Sequence, residues 1–98
     1  MKKLAFDVIV SYEHEDEQTD VIVKIEREKT FNGADSYQQA WDYYEKRKKA
    51  ADSRYTMDEG YYDEKEADGK KYRSEECQFV TPNRAWVVVK LDVRVMNC

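Results

Sequence analysis

The chain is poor in the residues from which common catalytic and metal sites are built. It has one histidine, two cysteines and three glycines in 98 residues. A structural zinc site needs paired Cys or His ligands at short spacings. Cys77 and Cys98 form no CxxC pair, and His14 has no second histidine to join it. The three glycines stand far apart, so no phosphate-cradling loop is present. Cys77 with His14 is the one Cys/His couple away from the chain end, but Cys77 falls on an inward strand position, where a thiol packs and stays inert. The sequence therefore predicts no enzyme, no cofactor and no metal.

Long apolar runs are also missing. No segment approaches the roughly 18 residues of a membrane span. MKKLAFDVIV sets two lysines before an apolar run, as a signal peptide does. Asp7 interrupts that run and no small-residue cleavage site follows, so the expected location is the cytoplasm. There both thiols are expected to be free; in an oxidising compartment a Cys77–Cys98 bridge is the alternative. The ending VMNC is not a prenylation box, because its cysteine is last and not fourth from last.

What the chain has in excess is charge. Asp, Glu, Lys and Arg make up 39% of it against about 25% in ordinary soluble domains, and mean hydropathy is -0.99. Aromatics at 13% and periodic apolar runs still specify a folded core, of single-domain size over residues 1–98. The net charge of -4 disfavours direct binding to nucleic acid or to anionic membranes.

Residues 4–12 alternate strictly, with Leu4, Phe6, Val8, Val10 and Tyr12 on one side. Residues 20–29 repeat the pattern, with Val21, Val23 and Ile25 on one side; a period of two is a half-buried strand. The two are expected to form an antiparallel hairpin around an acidic loop, EHEDEQ. Tyr37, Ala40, Trp41, Tyr44, Lys48, Ala51 and Tyr55 then recur every three or four residues, predicting a helix over about 36–54 with Ser36 as cap and Gln39 at the capping-box position. The hydroxyls of Tyr37, Tyr44 and Tyr55 are expected to be wet, at the edge of the core. Residues 56–75 read as an acidic loop or minor hairpin, with Asp68-Gly69 as a tight-turn dipeptide. Beyond a turn at Thr81-Pro82-Asn83-Arg84, residues 85–96 alternate again and are the most apolar stretch. The expected fold is α+β: a two-layer sandwich, ββαββ, with a mainly antiparallel sheet and one helix on one face. The first and last strands should be central. The second sheet face keeps Ile9, Ile22, Trp86, Val88 and Met96, and is expected to be covered by 56–75 or by a second subunit.

Charge is unevenly placed. Residues 13–20 carry five acids and no base, 58–76 eight acids against four bases, and 45–54 five bases against two acids. EHEDEQ matches no calcium-loop or HExxH spacing and reads as a wet turn. Tyr61 and Tyr62 have no apolar periodicity to explain them, and tyrosine is enriched in binding surfaces. The candidate partner-binding residues are Tyr61, Tyr62, Asp63, Glu64, Glu66, Glu15, Asp16 and Glu17. They suit a protein partner with a basic surface. In size and composition the chain is like phage or mobile-element inhibitors that occupy the nucleic-acid-binding surface of a target. The alternative is a structural homodimer joined through the second sheet face. The docking expectation fails if Lys46 to Arg54 lie against the acidic segments and neutralise them.

Overall fold

Alternating side chains make strands wherever one side can be buried, and the computed structural model carries this further than the sequence pattern does. It describes residues 2–16, 18 and 21–97. Among these the elements are β1 (Lys2–Asp16), β2 (Val21–Asn32), α1 (Tyr37–Asp52), β3 (Thr56–Ala67), β4 (Lys70–Val80) and β5 (Trp86–Asn97), with a single 3-10 turn at Ala34–Ser36 before α1. They form one antiparallel sheet in the order β2-β1-β5-β4-β3, with α1 against one face. The two most apolar segments are β1 and β5, and they sit inside the sheet as expected.

The register defines the core. Phe6 lies opposite Val93, Val8 opposite Leu91 and Val10 opposite Val89; Cys77 and Phe79 of β4 meet Val89 and Val87. Ala40, Tyr44 and Ala51 of α1 pack on this face, with Tyr37, Trp41 and Tyr55 half-buried at its rim. The predicted helical stripe is the one the fold uses. Tyr44 is fully buried, and its hydroxyl donates to Cys77 Sγ at 3.4 Å instead of meeting water. Burial pushes that hydroxyl well above the usual tyrosine range. The capping box does not form: Ser36 Oγ donates backwards to Gly33 O at 2.7 Å and makes no bond to the helix N-terminus.

Three expectations are corrected. Residues 56–75 take the hairpin alternative, turning at Asp68-Gly69 with φ of 50° and 78°, but β3 and most of β4 extend the sheet sideways and do not cover the second sheet face. The expected ββαββ therefore gains a strand and becomes ββαβββ. Nor is EHEDEQ mainly a turn. Glu13, His14, Glu15 and Asp16 continue β1 and pair in register with Lys24, Val23, Ile22 and Val21. Finally, α1 does not cover the whole apolar face. Val23 is 36% and Ile25 58% exposed, although both alternate with the core set.

The second face is held by charge as well as by packing. Asp7 is buried at 3% exposure; it accepts from Thr30 Oγ1 at 2.7 Å and from Arg94 Nε at 2.6 Å and Nη2 at 3.1 Å. Burial opposes its ionisation, but the Arg94 guanidinium and the Thr30 hydroxyl outweigh burial and hold the carboxyl below its ordinary value. Among the described residues no helix is long and apolar enough to cross a membrane.

Candidate partner-binding surface

An edge strand has only one hydrogen-bonded neighbour, and β3 is correspondingly open to solvent. Eleven of its twelve residues are exposed, so neither face is a core face. Tyr61 and Asp63 lie opposite Glu76 and Ser74; Tyr62, Glu64 and Glu66 lie opposite Glu75, Arg73 and Lys71 on the other face. Tyr61 is 50% and Tyr62 68% exposed. Tyr61 donates its hydroxyl to Glu59, and that bond raises its pKa. The Tyr62 ring carries the Arg73 guanidinium at 4.3 Å.

The hairpin is tied to the body through Tyr37, Tyr72 and Lys65. Ladder pairing of β4 with β5 stops at Glu75 opposite Leu91. Beyond it, the Tyr37 hydroxyl takes the place of a strand: it accepts from Arg73 N–H at 2.8 Å and donates to Arg73 C=O at 3.2 Å. Tyr72 turns inward, its ring 5.0 Å from Tyr37 and 5.8 Å from Phe6. Lys65 reaches across to Val93 C=O at 2.7 Å and to Asp92 at 3.8 Å. An open groove of about 290 Å³ remains between Tyr61, Tyr62 and Asp63 on one side and Lys90, Leu91 and Asp92 on the other.

The basic half of α1 meets the acidic hairpin at one point. Lys48 reaches Glu75 of β4 at 3.3 Å, with Arg73 also on Glu75 at 3.2 Å. Arg47 instead turns to the Tyr43 hydroxyl, at 3.0 Å from Nη2. Among the described residues Asp58, Glu59, Asp63, Glu64 and Glu66 enter no ion pair.

The candidate residues divide into two places. Tyr61, Tyr62, Asp63, Glu64 and Glu66 are together on β3. Glu15 and Asp16 are at the far end of β1, beside the opposite edge strand, and Glu17 lies outside the described residues. At about 3.3 Å per residue and 4.8 Å per strand, Glu15 and Asp63 are roughly 30 Å apart. One exterior patch was expected, and strand order separates it. His14 faces the Tyr12 ring at 5.7 Å, and its buried Nδ1 has no hydrogen-bond partner. No group of three or more His, Cys, Asp or Glu side chains that could hold a metal comes together among the described residues.

A basic counterpart that the sequence pattern does not show lies on the helix side of the sheet. Arg27, Lys29 and Arg47 line an opening of about 650 Å³ with Val8, Val10, Glu28 and Tyr43. Lys29 Nζ stands 4.6 Å from the Tyr43 ring, which also neighbours Arg47 and Phe31. The signal was the i,i+4 spacing of Tyr43 and Arg47, which reads first as helix surface. No protein-family model, no curated protein and no solved structure matches this chain.

Proposed function

We propose that the chain is a non-catalytic binding protein that docks its acidic β3 edge on a basic protein surface, of the kind that otherwise holds nucleic-acid phosphates. In size and composition the chain is like inhibitors of phage or mobile-element type. The observation that carries the reading is the set of five β3 carboxylates, exposed and outside any ion pair among the described residues, beside two exposed tyrosine rings. The carboxylates supply long-range attraction and orientation; Tyr61 and Tyr62 supply contact area at low entropic cost. Charges on an edge strand also keep sheets from pairing with one another. The two roles separate by experiment. The wild-type chain and the triple variant Asp63→Lys, Glu64→Lys, Glu66→Lys are each immobilised and exposed to extract of the native host, then washed with duplex DNA. The reading predicts nucleic-acid-binding proteins held by the wild type, released by DNA and absent from the variant. A mere edge guard gives the same retained proteins on both.

A further inference from the structure

The two edges of the sheet are built differently. β3 carries five carboxylates and a register shift between Met57 and Glu59, both of which discourage another strand from adding. β2 has no register shift, and its two carboxylates, Glu26 and Glu28, are balanced by Lys24, Arg27 and Lys29. It runs twelve residues without glycine, proline or register shift, and exposes Ile22 at 69%, Val23 at 36% and Ile25 at 58%. A long, exposed edge with apolar side chains is a template for another strand.

The backbone fixes which groups that edge offers. Gly33 N–H donates to Leu4 C=O at 2.8 Å. From that pair the antiparallel alternation runs unbroken, so Phe31, Lys29, Arg27, Ile25 and Val23 turn their peptide groups towards β1. Ile22, Lys24, Glu26, Glu28 and Thr30 turn theirs outward.

We infer that the β2 edge joins two copies of this chain, antiparallel about a two-fold axis at Ile25, into one ten-stranded sheet. The charge sequence selects the axis. Residues 24–29 read Lys, Ile, Glu, Arg, Glu, Lys, and Ile25 is the one uncharged position among them. With the axis there, Lys24 stands opposite Glu26 of the second copy, and Glu26 opposite its Lys24. Moving the axis one residue back sets Lys24 against Lys24; moving it forward sets Glu26 against Glu26, then Arg27 against Arg27, then Glu28 against Glu28. Like charges directly opposite destabilise a strand pair, whereas opposite charges stabilise it. Axes at Val23 or Thr30 avoid self-opposition but leave only short overlaps. The Ile25 axis overlaps residues 21–29 of both chains and pairs the outward peptide groups of Ile22 with those of Glu28, and of Lys24 with those of Glu26. That gives about eight new ladder bonds. Ile25 meets Ile25 at a non-hydrogen-bonded position, where side chains approach most closely, and Val23 meets the aliphatic stem of Arg27. The helices of the two copies stay on the same side, so the exposed Val23 and Ile25 gain a shared apolar floor with Val10 and Tyr12.

Sedimentation equilibrium tests this on the wild-type chain of 11.7 kDa and on Lys24→Glu, Glu26→Lys and Ile25→Lys, with circular dichroism to check the fold. The expected wild-type particle has two chains. Each variant alone is expected to dissociate at least about tenfold more readily, because each sets like charges face to face. An equal mixture of Lys24→Glu and Glu26→Lys is expected to regain the two-chain mass, since every pair is then opposite in sign. A wild type of one chain at all concentrations overturns the inference. So do variants that associate as tightly as the wild type, a mixture that stays dissociated, or a mass growing past two chains. The β3 edge lies on the other side of the sheet, so this outcome is independent of partner docking.

Discussion

The substitution Asp7→Asn removes a charge from the second sheet face while keeping its shape. In the wild type the carboxylate accepts three hydrogen bonds, two from Arg94 and one from Thr30. The amide oxygen of the variant, placed where Oδ1 stands, can accept from Thr30 and from Arg94 Nη2, while its NH2 group faces Arg94 Nε, which has nothing to accept with. Hydrogen bonds to charged groups contribute about 1.5–3 kcal/mol each when buried. The Arg94 side chain is 47% exposed, so water takes over part of its loss, and a total cost of about 2 kcal/mol is expected. For a domain with roughly 5–10 kcal/mol of stability that is a large fraction. The assay is urea unfolding of both proteins at a series of pH values, with equal m-values as the check that both unfold from the same compact state. In the folded chain the Asp7 carboxyl titrates below its ordinary value, held there by Arg94 and Thr30 against the opposing effect of burial. Its ionised contribution is therefore complete above the unfolded pKa and is lost as pH falls through the folded one. The difference between wild type and variant should be full at pH 7 and close as the acid range is entered. A difference under about 0.5 kcal/mol at neutral pH, or one that persists undiminished in strong acid, refutes the reasoning.

Two further substitutions test how the hairpin is held. Tyr37→Phe removes the hydroxyl that stands in for a strand at Arg73, and should cost about 0.5–1.5 kcal/mol; hydrogen exchange should show the Arg73 amide losing protection while Leu91 in β5 keeps its own. Gly69→Ala meets no atom within 4 Å but must adopt φ of 78°, so thermal unfolding should report a loss of about 1 kcal/mol without any change in the core. A neutral or stabilising result at Gly69 would show that the Asp68-Gly69 turn relaxes to another type.

The helix and the two central strands were legible because each has one side buried, and a buried side writes its period into the sequence. Leu4, Phe6 and Val8 alternate; Ala40, Tyr44 and Ala51 recur at helical spacing. An edge strand with both faces wet has no such constraint. Thr56 to Glu66 are all exposed, so charged residues occupy both faces and the alternation vanishes. Only Asp68-Gly69 survived as a hairpin signal there. The run through Glu13 to Asp16 was hidden for the same reason, since its strand character comes from pairing with β2 and not from burial. The separation of acids and bases along the chain was visible, but in the fold Lys48 of the basic segment reaches Glu75 and Lys24 reaches Glu13. The distance between Glu15 and Asp63 depends on strand order, which no local pattern encodes.

Attraction between the β3 carboxylates and a basic partner is the central proposal. The most direct measurement is the association rate of a captured partner with the wild-type chain and with the Asp63→Lys, Glu64→Lys, Glu66→Lys variant, across a range of salt. Electrostatic steering predicts a wild-type rate that falls steeply as salt rises and a variant that is slow throughout. Equal rates for the two proteins, flat in salt, contradict it.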